Sequence, residues 1–160
     1  MRNVLVIVAV IGLFVWRGGF LNGTVDESVL AGGGPDECAR AEKCLAVYLS
    51  PWCPQCRKSG ELVQELRARA AISPEFGFKV IVGRDEEDAL DRYASRLGGS
   101  VYYDYDGEFY RQLGASGVPA WVSWDSEGRI LETMSGRPLG APTHVLVDHM
   151  GEELDLTDVL

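Results

Sequence analysis

The chain has 160 residues, which is enough for one domain with a sizeable core. Its composition of 46% hydrophobic and 24% charged residues is that of an ordinary globular protein. The formal net charge of −9 argues against a nucleic-acid partner, and the sequence shows neither an internal repeat nor a long low-complexity tract.

The N-terminus carries an uncharged apolar run, Val4–Trp16, which is flanked by Arg2 and Arg17. This run is short for a membrane span, which needs about 20 residues, but it matches the core of a signal peptide. If the Arg17 side chain snorkels, Val4–Leu21 gives a marginal membrane anchor. We therefore predict that residues 1–21 form an apolar helix, either a signal anchor or a cleaved signal peptide, and that the chain is exported. As an anchor it would give a single-pass membrane protein with an extracytoplasmic domain; cleavage would give a soluble secreted or periplasmic one.

Residues 22–35 have the composition of a flexible linker. They contain Gly23, the run Gly32-Gly33-Gly34 and Pro35, with few apolar side chains. We predict that the folded domain covers residues 36–160.

The rest of the chain alternates short apolar segments with amphipathic ones. A short, evenly apolar run suits a buried strand better than an amphipathic helix, and glycine, proline and aspartate at the segment ends supply caps and breaks. In chain order we predict a strand Leu45–Leu49, a helix Arg57–Ala71, a strand Phe78–Val82, a helix capped by Asp85 that runs to Leu97, an extended piece Val101–Tyr103, a short helix Gly107–Leu113, two strands Ala120–Trp124 and Arg129–Ser135, and a final helix Thr143–Glu153.

This order of elements predicts the fold class. Strands joined by helical crossovers pair in parallel, and the hairpin of the last two strands adds antiparallel pairing. The expected fold is an α/β, three-layer α/β/α sandwich with a mixed sheet.

The run Trp52-Cys53-Pro54-Gln55-Cys56 lies between the first predicted strand and the first predicted helix. Backbone N–H groups at a helix N-terminus favour the thiolate form of a cysteine there, which makes it a nucleophile. A second cysteine one turn later can attack the resulting mixed disulfide. We therefore predict that Cys53 attacks and Cys56 resolves. The alternatives are a buried disulfide or half of a zinc site, and zinc would need a second pair of ligands at suitable spacing.

A second motif follows later in the chain. Pro119 opens the strand Ala120–Trp124, where a proline cannot donate a hydrogen bond to the sheet. Together with the Cys-x-x-Cys run, the sequence Gly117-Val118-Pro119-Ala120 resembles the thioredoxin superfamily over residues 45–153. The resemblance implies a thioredoxin-like fold in which Pro119 is cis and lies beside Cys53.

The same resemblance implies which residues contact substrate. Val118 would offer its backbone groups to a substrate peptide, and Trp52, Pro54 and Gln55 would shape the surface around the thiols. Residues 104–113 and 125–130 are similar to corresponding segments of the extracytoplasmic TlpA/ResA-like members, which are typically membrane-tethered reductants.

Two positions depart from the patterns of these groups. Val47 stands where thioredoxin has a buried carboxylate, and Ser59 stands where the ResA type has an active-site glutamate. The usual buried proton acceptor is therefore missing from both positions. Arg57, directly after the motif, either helps to stabilise a thiolate or is an ordinary surface cation.

Cys38 and Cys44 form a second cysteine pair. In an oxidising compartment they could form a local structural disulfide that ties the linker to the first strand. The alternatives are a second redox pair that relays electrons, or buried free thiols.

These observations predict an extracytoplasmic thiol–disulfide oxidoreductase that reduces disulfides in client proteins. Its only redox group would be the Cys53–Cys56 pair, with no organic cofactor or metal. Its partners would be client proteins with disulfides or thiols, a membrane or soluble thiol electron donor, and the membrane itself through residues 1–21. The alternatives are a disulfide oxidase or isomerase, a non-catalytic thioredoxin-like binding module, or a metal chaperone that uses the same two thiolates.

Overall fold

The structure is a computed structural model that describes residues 23–137 and 142–160. The predictions for residues 1–21 lie outside the described part of the chain. Among the described helices, none is both long and apolar enough to span a bilayer.

In the part of the chain that the structure describes, six strands form one mixed sheet, in the spatial order β1-β4-β3-β2-β5-β6. Neighbours β2, β3 and β4 pair in parallel, whereas β1 pairs with β4, β5 with β2 and β6 with β5 in antiparallel orientation. The strands are β1 (Ala31–Gly32), β2 (Lys43–Leu49), β3 (Phe76–Gly83), β4 (Tyr102–Asp104), β5 (Ala120–Asp125) and β6 (Ile130–Ser135). The predicted mixed sheet with an antiparallel hairpin is confirmed, and β1 is an addition that the sequence did not predict.

Within the described residues, five α-helices flank the sheet: α1 (Pro54–Arg57), α2 (Gly60–Ile72), α3 (Glu87–Leu97), α4 (Glu108–Gln112) and α5 (Thr143–Glu153). Helices α2, α3 and α5 contribute to the core on one face of the sheet, and α4 contributes to the core on the other. The predicted three layers are therefore present.

Strand β2 shows why its sequence is apolar at every position. Leu45, Val47 and Leu49 belong to the core on the α2, α3 and α5 face, while Ala46 and Tyr48 belong to the core on the opposite face. Alternate side chains of a strand point to opposite faces, so a central strand covered on both sides must be apolar throughout.

The predicted helix Arg57–Ala71 is interrupted in the structure. Helix α1 ends at Arg57 and α2 begins at Gly60. The Ser59 hydroxyl donates a hydrogen bond to the carbonyl of Gln55 at 2.9 Å, a local bond that often bends helices. The later helix starts one residue further than its predicted cap, since Glu86 rather than Asp85 is the N-cap of α3.

The packed part of the chain begins earlier than the predicted boundary at residue 36. Thr24 forms a bridge with Arg129, residues Glu27–Val29 form a short 3-10 helix, and β1 pairs with β4. Val25, Val29 and Leu30 pack against the core on the α4 face. Most of the segment that was predicted to be a linker is therefore in contact with the domain.

Lys79 on β3 anchors this segment electrostatically. Its side chain is 2% exposed, and its ammonium lies 2.6 Å from a Glu27 carboxylate oxygen and 2.8 Å from one of Asp36. Burial alone would lower the pKa of Lys79, but the hydrogen bonds and charges of Asp36 and Glu27 raise it above its ordinary value. The buried ammonium is thus compensated only because the segment before residue 37 is packed against β3.

The predicted disulfide between Cys38 and Cys44 is confirmed, with a Cα–Cα distance of 5.5 Å. It ties the loop that follows Asp36 to the start of β2. Cys44 and Cys53 lie toward opposite ends of β2, and the stretch from Cys44 to Leu49 alone spans about 17 Å. Direct exchange between the two cysteine pairs within one molecule is therefore excluded in this conformation.

Candidate redox site

The Cys-x-x-Cys motif lies at the carboxyl end of β2, held by hydrogen bonds from the preceding turn. The Ser50 hydroxyl donates to the carbonyl of Gly83 at 2.9 Å, and the amide of Cys53 donates to the carbonyl of Ser50 at 3.1 Å. Cys53 is the N-cap of α1, and Pro54 occupies the first helical turn, where its lack of an N–H is harmless. The turn therefore places the Cys53 sulfur at the start of the helix.

The two thiols differ in environment. The Cys53 side chain retains a small exposure of 5%, whereas Cys56 is fully buried. The Cys53 sulfur accepts a hydrogen bond from the amide of Cys56 at 3.4 Å. Burial raises the pKa of Cys56 to about 12, and the neighbouring Cys53 adds to this, against a backbone hydrogen bond from Ser50. This asymmetry favours Cys53 as the attacking thiol and Cys56 as the resolving one.

The segment before β5 lies against the motif. The Val118–Pro119 peptide bond is cis, and the carbonyl of Val118 accepts a hydrogen bond from the Cys53 thiol at 3.3 Å. The carbonyl of Pro119 does not take part in this contact and instead accepts a hydrogen bond from the amide of Gly136 at 2.7 Å. The structure therefore brings together the two motifs that the sequence analysis identified 65 residues apart.

The remaining predicted site residues occupy the rim. Trp52 is 53% exposed, and its indole N–H donates to the carbonyl of Arg84 at 3.0 Å. Pro54 is exposed and Gln55 is half-buried. Arg57 donates to the carbonyl of Pro51 at 2.9 Å, so its guanidinium fastens the turn before the motif. The exposed indole therefore presents apolar surface at the residue directly before Cys53.

The positions that carry carboxylates in related groups hold no acid here. Val47 is fully buried in the core, and the Ser59 hydroxyl is occupied by its bond to Gln55. The hydroxyl of Tyr93 is a further polar group in the core around the two thiols, and neither sequence motif contains it. Tyr93 lies on α3 and belongs to the same core cluster as Cys53 and Cys56.

Nothing in the described residues offers a metal centre of three or more His, Cys, Asp or Glu side chains.

The difference between the two thiols leads to a labelling prediction. With the Cys38–Cys44 disulfide intact, we expect iodoacetamide at neutral pH to alkylate Cys53 alone, because Cys56 is buried and ionises only as the pH approaches its raised pKa of about 12. Peptide mass spectrometry measures the sites. Unfolding in guanidinium should make both thiols reactive, and equal labelling of both in the folded protein would contradict the assignment.

Comparisons with known proteins identify the fold. The sequence matches no protein-family model and no curated protein, but the structure matches solved structures. One is a secreted Mycobacterium tuberculosis disulfide oxidoreductase homologous to Escherichia coli DsbE, with a TM-score of 0.56, 16% identity, and coverage of 81% of this chain and 98% of that chain. A putative thiol:disulfide interchange protein DsbE from Chlorobium tepidum has a TM-score of 0.59, 18% identity, and coverage of 84% and 99%.

The exposed lipoprotein thioredoxin Etrx1 of Streptococcus pneumoniae is also similar, with a TM-score of 0.58, 17% identity, and coverage of 71% of this chain and 87% of that chain. These similarities establish a thioredoxin-like fold for the chain, as the resemblance in the sequence implied.

Proposed function

We propose that this chain is an extracytoplasmic thiol–disulfide oxidoreductase that reduces disulfides in client proteins. The observation that carries the proposal is the contact of 3.3 Å between the Cys53 sulfur and the carbonyl of Val118. This contact supports the proposal because an extended peptide that paired with the backbone at Val118 would lie beside the two thiols.

The reaction follows from this arrangement. A client peptide pairs with the backbone at Val118, and the Cys53 thiolate, supported by the amide of Cys56, attacks one sulfur of the client disulfide. A mixed disulfide forms and the other client sulfur leaves as a thiolate. Cys56 then attacks the Cys53 sulfur, the Cys53–Cys56 bond forms, and the second client thiolate departs. The client gains two electrons and the dithiol loses two.

The direction of transfer is proposed from the motif. Strongly oxidising members of the superfamily often have a histidine between the two cysteines, and this chain has Pro54 and Gln55 there. Without that histidine, the reduced thiolate has less stabilisation, which favours a reductant. A membrane or soluble thiol donor would regenerate the dithiol.

The location is proposed from the apolar N-terminal run and the similar structures. The sequence of residues 1–21 suits an anchor or signal peptide, and the similar proteins include one described as secreted and one described as an exposed lipoprotein. Residues 23–160 would then lie on the extracytoplasmic side of the membrane.

The reduction potential of the Cys53–Cys56 pair tests the proposal. We expect the full chain, reduced and held in detergent, to reduce insulin disulfides and to equilibrate with thiol buffers at about −270 mV. A potential of about −120 mV would indicate an oxidase instead. A chain that exchanges no disulfides would be a binding module, and one that instead retains Cu(I) or zinc on its dithiolate would be a metal chaperone.

A further inference from the structure

Tyr93 contributes a buried hydroxyl to the core cluster that also contains the redox pair. Its side chain is 5% exposed and belongs to the core cluster that contains Cys53 and Cys56. Within the described residues, its buried hydroxyl makes no hydrogen bond. Buried hydroxyls normally have partners, so each exception calls for an explanation.

A phenylalanine at position 93 would fill the same space without the free-energy cost of burying an unpaired hydroxyl. An unpaired buried hydroxyl is disfavoured relative to an apolar group of the same shape. Tyr48, another buried tyrosine, shows the usual arrangement, since its hydroxyl donates to a carboxylate oxygen of Asp104 at 2.9 Å. The Tyr93 hydroxyl is therefore best explained by a partner that exists in another state of the site.

The composition of the core cluster points to that partner, because Cys53 and Cys56 are the other buried members of the cluster, among the described residues, that can become anions. Burial raises the pKa of Tyr93, and negative charge on Cys56 and then on Cys53 raises it further, whereas Arg57 opposes them. The Cys53 sulfur already contacts the carbonyl of Val118, whereas Cys56 is fully buried in the cluster with Tyr93, and the electrostatic effect of Cys56 on Tyr93 is the larger of the two. Because a tyrosine with a raised pKa keeps its proton, it can only donate to a thiolate.

We propose that the Tyr93 hydroxyl donates a hydrogen bond to the Cys56 thiolate while Cys56 resolves the mixed disulfide. The inference rests on the proposed function and assigns a role to a residue on α3, outside both sequence motifs. Tyr93 would stabilise the Cys56 anion by donation and would not replace the proton acceptor that is missing at Val47 and Ser59, so the Cys56 proton leaves to the client thiolate.

The step balances without another reactant. In the mixed disulfide, Cys56 loses its proton, its sulfur attacks the Cys53 sulfur, and the Cys53–Cys56 bond forms as the bond from Cys53 to the client sulfur breaks. The client leaves as a thiolate, which takes up the proton that Cys56 lost. Tyr93 keeps its own proton throughout and supplies a charge-assisted hydrogen bond to Cys56.

Dithionitrobenzoate separates the two steps in a single experiment. The reduced full chain, in detergent, releases one nitrothiolate when Cys53 forms the mixed disulfide and a second when Cys56 resolves it. We expect Tyr93→Phe to leave the first phase unchanged, to slow the second roughly tenfold, and to let the mixed disulfide accumulate in acid-quenched mass spectra. The pH profile of the second phase should move to higher pH by about one unit, because loss of the donor raises the pKa of Cys56.

Tyr48→Phe is the matched control. It removes a satisfied hydroxyl, so we expect it to lower the thermal midpoint and to leave both phases unchanged. Tyr93→Phe should show the opposite pattern, with a midpoint equal to or above that of the unmodified protein. Equal second-phase rates in Tyr93→Phe and the unmodified protein, or equal slowing of both phases, would overturn the inference. If the unmodified protein shows no second phase and does not reduce insulin, the proposed function itself fails.

Discussion

We expect Cys53→Ser to abolish reduction of insulin disulfides and Cys56→Ser to convert the protein into a trap for its clients. Without the Cys53 sulfur, no nucleophile remains beside the Val118 carbonyl, because Cys56 is fully buried. Without the Cys56 sulfur, the mixed disulfide forms but has no internal thiol to resolve it. Non-reducing gels and mass spectrometry measure the trapped complexes, and the loss of turnover in either variant should exceed about 100-fold.

Cys38→Ser combined with Cys44→Ser serves as the control for this pair. The Cys38–Cys44 disulfide lies toward the other end of β2. Its loss should therefore lower the stability of the domain and leave the attacking role of Cys53 and the resolving role of Cys56 unchanged. Stable client complexes from Cys53→Ser rather than from Cys56→Ser would reverse the assigned roles.

The second large effect that we expect is a loss of stability when the segment before residue 36 is deleted. A chain that begins at residue 23 should fold and reduce clients, whereas one that begins at residue 36 should be strongly destabilised. The longer deletion removes Glu27 from the buried Lys79 and uncovers the core beneath Val25, Val29 and Leu30. Lys79 would then keep Asp36 as its counter-ion, so the expected destabilisation comes from the lost Glu27 contact together with the uncovered apolar core. Denaturant unfolding with the Cys38–Cys44 disulfide intact measures the difference.

Point variants separate charge from packing in this prediction. Glu27→Gln should lower the free energy of unfolding measurably, while Glu61→Gln, on an exposed position of α2, should change it by less than about 0.5 kcal/mol. If both truncated chains unfold at the same denaturant concentration, the segment before residue 36 does not contribute to the domain.

The elements nearest the motif were predictable because their signals are local. A five-residue apolar run, a cysteine at a helix start and a proline at a strand start each act over a few residues of chain. Strand β2 (Lys43–Leu49) begins two residues before the predicted strand and ends at the predicted residue. Helix α5 has the predicted bounds of Thr143–Glu153. The break at Ser59 was missed because one side-chain hydrogen bond within the helix decides it.

The boundary of the domain was predicted less well because its cause lies far away in the chain. Glycines and few apolar residues suggested a linker, yet Glu27 and Asp36 are both required by a lysine on β3. That Lys79 would be buried at all depends on which strands and loops cover β3. In the sequence, the charge of Lys79 on an otherwise apolar strand was the only indication that carboxylates from elsewhere in the chain would cover β3.

The residues of the candidate redox site are recognisable from local patterns in the chain: two cysteines at the start of a helix and a proline before a strand. The environment of those residues, in contrast, depends on how distant segments pack. The tertiary structure set Val118 against Cys53, buried Cys56 so that its pKa rises to about 12, and placed the unpaired hydroxyl of Tyr93 among the same core residues. Burial and electrostatic proximity depend on how distant elements pack together, and no local pattern encodes them.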